Sequence, residues 1–196
     1  ITTSSFTTIT IPAHKDIVNS SLLTDVAAET YTVAPQYHII EFSYSGSGHT
    51  GDGYCFDVVD ADNHSIPVEE TSSSSKPYSF LMPGSNVTIP APVDKWGVTS
   101  GANGSEANPY IISDDAGLNL LAQKVNAGNN YEGTYFKLNG DITYSYKKDW
   151  NVGFENNFNA IGKSDKPFSG HFDGNGKTIS GIRIFKSGIN YQGLFG

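Results

Sequence analysis

Glycine-marked corners between very short apolar stretches constrain this chain more than any other feature, and they are densest from Phe168 to Gly196. Ser169-Gly170, Asp173-Gly174-Asn175-Gly176 and Ser180-Gly181 cut that run into strands of a few residues. Tyr191-Gln192-Gly193-Leu194-Phe195-Gly196 then reads as the opening of one more unit. Strands so short cannot bury both faces against a sequence neighbour alone. Stacking successive turns of a coil lets each strand pair on both sides while its apolar residues point inward. The pattern therefore predicts a right-handed parallel β-helix in the second half, in a polypeptide that continues past Gly196.

The residues leading into that coil fit the same plan. Asn108 to Ile112 predicts a strand and residues 113–127 a helix, with Ser113 as N-cap and Asp114 and Asp115 at the positive end of the dipole. Leu118, Leu121, Ala122 and Val125 fall at helical spacing, and Gly128 stops the helix. This helix is expected to cap the coil and cover strand edges that would otherwise stand open. A catalytic role for the two aspartates competes with the capping role, but capping accounts for both. Tyr135 to Leu138 and Asp141 to Ser145 predict two further strands, with Phe136, Leu138 and Ile142 on the core face.

The front half reads differently. Ser4 to Ile11, Thr30 to Val33, Tyr37 to Tyr44, Tyr54 to Val59, His64 to Glu69, Tyr78 to Met82 and Asn86 to Ala91 predict strands between turn-forming clusters. Residues 13–28 fit a short helix or a covered strand. Together they predict a small antiparallel β domain over residues 1–95. Residues 91–106, dense in Pro, Gly, Ser and Asn, read as a linker before a second domain over residues 96–196.

Charge narrows the partners. Residues 1–95 hold 3 Lys and 11 Asp or Glu, while residues 96–196 hold 9 basic and 9 acidic side chains, so the net −8 belongs to the front half. An acidic chain with one arginine is a poor match for phosphate backbones, and it shows no basic patch for anionic lipid. No apolar run reaches the ~20 residues of a membrane span. The lone Cys55, between Tyr54 and Phe56, permits no internal disulfide and reads as a small core residue.

No catalytic constellation is legible, and no cofactor or metal is implied. Asp57, Asp60, Asp62 and Glu69 could be read as a calcium site, but their spacing is not that of an EF-hand loop and suits solvated turns. His14, His38, His49, His64 and His171 lack metal-ligand spacing. Tyr144, Tyr146, Trp150 and Phe154, on an inserted aromatic stretch, are the candidate ligand-binding residues. They could stack on sugar rings or fold back over the chain's own side.

Two resemblances bear on function. Gly53-Tyr54-Cys55-Phe56 with Tyr78 to Ile89, containing Met82-Pro83 and Val87-Thr88-Ile89, resembles the closing half of internalin-type B repeats of bacterial surface proteins over residues 37–93. This resemblance implies a compact β-grasp-like spacer or adhesive module, although the Gly-Trp expected after the first aromatic is replaced by Phe56-Asp57-Val58. Asn108-Pro109-Tyr110-Ile111-Ile112-Ser113, Asp141-Ile142-Thr143, Ile161-Gly162, Phe172-Asp173-Gly174-Asn175-Gly176-Lys177 and Gly193-Leu194-Phe195-Gly196 resemble the start of GLUG-motif arrays over residues 105–196. The GLUG resemblance implies a non-enzymatic, secreted or cell-surface bacterial adhesin built on a β-helix. Its partners would be a host or cell-surface glycan or protein, with self-association through the open coil end. The alternatives are a pectin-lyase-like β-helix enzyme or the noncatalytic front of a large secreted protease.

Overall fold

In a computed structural model the chain divides into two compact units, Ile1–Val93 and Asp94–Gly196. The structure describes residues 7–11, 14–18, 22–26, 29–33, 39–43, 52–81, 86–144, 157–184, 190 and 192–196. The first unit contains β1 (Thr7–Ile11), β2 (His14–Val18), β3 (Leu22–Val26), β4 (Glu29–Val33), β5 (Ile39–Phe42), β6 (Tyr54–Cys55), β7 (Val59–Asp60), β8 (Glu69–Glu70), β9 (Tyr78–Leu81) and β10 (Val87–Thr88). After β11 (Val93–Asp94) at the boundary, the second unit holds β12 (Tyr110–Ile112), α1 (Asp115–Ala127), β13 (Tyr135–Leu138), β14 (Ile142–Thr143), β15 (His171–Asp173) and β16 (Ile179–Ser180).

The first unit is not the all-antiparallel domain expected from its strand-and-turn rhythm. Its four-stranded sheet runs β4-β1-β10-β7, and β1 lies parallel to β10 with Ile9 opposite Val87. It also holds a three-stranded antiparallel sheet, β5-β9-β8, and a hairpin of β2 and β3. That hairpin occupies the segment whose mixed apolar spacing fitted helix or strand alike. Ile9, Phe80 and Val87 on strands, with Phe56, Val58, Val68 and Ile89 on the segments beside them, bury into one core. Phe42, Phe56 and Tyr78 meet there with ring centroids 4.8 to 5.5 Å apart, and the Phe42–Phe56 and Phe56–Tyr78 pairs are edge-on, the geometry that ring quadrupoles favour.

The second unit is not a β-helix. β12, β13 and β15 form one parallel sheet and β14 and β16 another, with Phe136 in register between Tyr110 and Phe172, and Ile142 opposite Ile179. These ladders end at three strands and two, and among the described residues neither sheet curls or closes into a solenoid. The fold is mixed α/β with several small open sheets. Helix α1 explains part of the difference, because nine of its residues are buried. It is a core element carrying Leu118, Leu120, Leu121 and Val125, none more than 1 % exposed, rather than a lid on an open end.

The ends of α1 follow from local chemistry. Asp114, one residue beyond the expected Ser113, is the N-cap, and its Oδ1 accepts from Gly117 N at 2.8 Å. Gly128, at φ 122°, closes the helix by donating to the carbonyls of Lys124 and Val125. Against the helix sits Trp96, which is fully buried. Its Nε1 donates to Gly117 O at 2.9 Å, and its ring lies 5.0 Å from Phe136 and 5.1 Å from Tyr110. A residue in the stretch that composition marks as linker is thus the hub of the second core.

Candidate functional site

Among the described residues two groups of polar side chains are dense enough to form a site, one in each unit. In the first, β7 ends at Asp60, which is 7 % exposed, and the chain reverses through Asp62, Asn63 and His64. Asn63 takes a left-handed conformation at φ 61°, which asparagine tolerates better than most residues. Asp60 Oδ1 accepts from the backbone amides of Asp62 and His64 at 2.8 and 3.0 Å, and Oδ2 lies 3.3 Å from His64 Nδ1. The backbone closes over the same turn, with Asp60 N donating to His64 O and Asn63 N to Asp60 O.

Asp60, Asp62 and His64 offer three ligand atoms within 4.8 Å of one another. Of the four acids singled out in sequence the structure brings Asp60 and Asp62 into this group and adds His64, while Asp57 and Glu69 are not members. Three donors fall short of the six to eight oxygens of a calcium shell. Both Asp60 oxygens are also already engaged, so the arrangement works as a staple for the turn.

In the second unit Asp94 holds the chain as it enters the 3₁₀ turn Val98–Ser100. Its Oδ1 accepts from Trp96 N and Val98 N at 3.0 and 3.1 Å. Its Oδ2 accepts from Thr99 N and Thr99 Oγ1 at 2.8 and 2.7 Å. Partial burial opposes ionisation of Asp94, but the bonds from the Thr99 hydroxyl and from the amides of Thr99, Val98 and Trp96 outweigh it and lower its pKa below the ordinary 3.8. Lys95 Nζ reaches Asp114 Oδ2 at 2.8 Å, tying this turn to the helix cap. Two exposed aspartates also accept from backbone: Asp173 Oδ1 from Asn175 N within its own turn, and Asp141 Oδ1 from Thr178 N, 37 residues further on.

Of the four candidate ligand-binding aromatics, Tyr144 is placed in the core at 4 % exposure, its ring 5.4 Å from Phe158. Its hydroxyl lies 2.9 Å from Asn119 Oδ1 and 3.2 Å from Asp115 O. Burial, with the carboxylates of Asp115 and Asp114 nearby, pushes its pKa far upward, so the phenol stays protonated. Asn119 Nδ2 is buried and finds no hydrogen-bond partner among the described residues. Turning that amide over would let it donate to the Tyr144 oxygen, leaving the phenol proton for Asp115 O. Tyr146, Trp150 and Phe154 lie outside the described residues.

The remaining sequence candidates have structural surroundings. Cys55 is buried, as its flanking aromatics suggest. His171 stacks on Tyr135 with centroids 4.2 Å apart, next to the Lys137–Asp173 ion pair on the same face of β13 and β15. Sequence reasoning missed Trp96 and Asp94. The signal for the second is an aspartate two, four and five residues before amides that turn back over it, ending in a threonine whose hydroxyl can join them.

No family model matches the chain, and no solved structure matches it. It is similar to Halomucin of Haloquadratum walsbyi, 38% identical over 98 residues, a match covering 48% of this chain and 1% of that protein. It is also similar to a protein described as a Gly-rich membrane protein of Evansella cellulosilytica, 35% identical over 100 residues, covering 50% of this chain and 10% of that protein. The adhesin function expected of a β-helix scaffold loses its basis with the coil, and neither comparison supplies another. The same holds for the pectin-lyase-like enzyme. Among the described residues no helix is long and apolar enough to cross a membrane.

Proposed function

We propose that this chain is a noncatalytic structural part of a much longer extracellular protein, a pair of small folded units that contributes length and surface. The observation that carries this reading is where the carboxylates point. Asp60, Asp94, Asp114, Asp141 and Asp173 each accept from backbone amides of their own or the neighbouring turn, so the acids fasten loops. A general acid or base needs its proton-transfer atom free toward a substrate. The small share that the chain spans of its two relatives, 1% and 10%, supports a part in a long polypeptide. Sparse charge with abundant Gly, Ser, Thr and Asn supports an extracellular setting. Its partners are glycans, proteins or a second copy rather than nucleic acid, given the net −8.

The test pairs turnover with stability. The purified chain is assayed on polysaccharide, peptide and ester substrates, and Asp60→Asn, Asp94→Asn and Asp114→Asn are unfolded in denaturant alongside it. The reading expects no turnover above a buffer blank and a loss of stability in each variant. Saturable turnover that one of these substitutions abolishes while stability stays unchanged would overturn it. Surface labelling of intact cells carrying the full-length protein tests the location, with a protected, intracellular pool as the contrary result.

A further inference from the structure

The chain carries three Asn-Gly pairs, Asn103-Gly104, Asn139-Gly140 and Asn175-Gly176. Such a pair can react with itself. The glycine amide nitrogen, unshielded by a Cβ, gives up its proton and attacks the asparagine Cγ. A nitrogen–carbon bond forms, the bond from Cγ to Nδ2 breaks, and ammonia leaves with the proton. Water then opens the cyclic imide to aspartate or isoaspartate. The step requires a side-chain amide free to turn back on the chain and a glycine nitrogen not already donating.

The fold withholds one or both of these from two of the pairs. At Asn103 the side-chain Oδ1 accepts from Ser105 N at 3.1 Å, and Gly104 N donates to Asn108 O at 3.1 Å. Gly104 is also buried against Tyr110 and Thr134, so neither reactant can move. At Asn175 the Nδ2 that must leave donates to Leu138 O at 3.0 Å, and the backbone is fixed in the left-handed region at φ 47° with its own amide on Asp173 Oδ1. Asn139 differs. It is exposed, its backbone amide is anchored on Ile112 O at 2.9 Å, and among the described residues no hydrogen bond engages its side chain or the Gly140 amide.

We propose that Asn139 is a site of spontaneous succinimide formation and deamidation, the one Asn-Gly pair of the three that the folded chain leaves free to react. The product places a new carboxylate two residues from Asp141, whose Oδ1 accepts from Thr178 N. Where the product is isoaspartate, it also lengthens the backbone by one carbon in the corner between β13 and β14.

The experiment incubates the intact chain, folded and in denaturant, at mildly alkaline pH and follows each Asn-Gly peptide by mass spectrometry with an isoaspartate readout. In denaturant the three pairs share the same following residue and are expected to react at similar rates. In the folded chain Asn139 is expected to react at least about fivefold faster than Asn103 or Asn175, the factor that one ordinary hydrogen bond supplies. Equal rates in the folded chain, a lead by Asn103 or Asn175, or an Asn139 that folding protects as much as the others would each overturn the proposal. Asn139→Gln, which should remove the fast signal and leave the slow two unchanged, excludes a misassigned peptide.

Discussion

Replacing Trp96 should unfold the second unit far more readily than any loop substitution, and the two available truncations separate its two roles. Trp96→Phe keeps a ring against Phe136 and Tyr110 but removes the indole N–H that donates to Gly117 O. The lost atoms cost about 1 kcal/mol. The lost bond costs about 1 kcal/mol more, toward the low end because Gly117 O keeps its helical partner. Together they make about 2 kcal/mol, a drop in melting temperature of roughly 10 °C for a unit of this size. Trp96→Ala also empties a fully buried site, and about 3 to 5 kcal/mol is expected, a large part of the total stability of an ordinary domain. Trp96 and Trp150 both fall within Asp94–Gly196, so indole fluorescence in a urea titration reports on that unit, and the circular dichroism of α1 follows it in either variant. A Phe variant with an unchanged midpoint, or an Ala variant costing under about 1 kcal/mol, would refute the placement of Trp96 at the centre of this core.

Four further outcomes follow from the polar groups. Asp94→Asn should cost about 1 to 2 kcal/mol in denaturant titrations, because both oxygens accept two bonds each and an amide nitrogen cannot replace either. Since the folded pKa of Asp94 lies below 3.8, its stabilisation is fully present above that value and is lost as pH falls through the folded pKa. An acid titration of the wild type should therefore steepen below 3.8 relative to Asp94→Asn. Asp114→Ala should cost about 1 kcal/mol through loss of the cap on Gly117 N, read by circular dichroism of thermal unfolding. Tyr144→Phe should cost about 1 to 3 kcal/mol by leaving the Asn119 amide without its partner in the core, measured by the same fluorescence titration.

Local signals in the sequence were read well where the physics is local. Gly128 closes α1 because a left-handed residue is needed there, and Leu118, Leu121 and Val125 are buried because helical spacing puts them on the inner side. The cap fell one residue away, since Ser113 and Asp114 are adjacent and equally able to accept from the first turn. Non-local features were not legible. Nothing near Ile9 announces a parallel partner at Val87, and no residue of a two-stranded ladder says whether a third turn will stack on it. Short strands and glycine corners are compatible with a coil and with small open sheets alike, and the choice rests on how much interior a helix takes. Trp96 was hidden by its company, because Pro, Gly, Ser and Asn around it read as solvated chain. A large indole in such a stretch has to be buried somewhere, and that was the available clue. In the candidate site, Asp60 and Asp62 stood out as acids, but their union with His64 depends on the left-handed Asn63 between them.

Amide hydrogen exchange in wild type and Asp94→Ala measures most directly whether these carboxylates hold the backbone. Trp96, Val98 and Thr99 amides, all bonded to Asp94, should exchange slowly in the wild type and lose protection together in the variant. Unchanged protection at those three amides, accompanied by loss of a saturable activity or of binding to a ligand, would contradict the structural role and point to a site in its place.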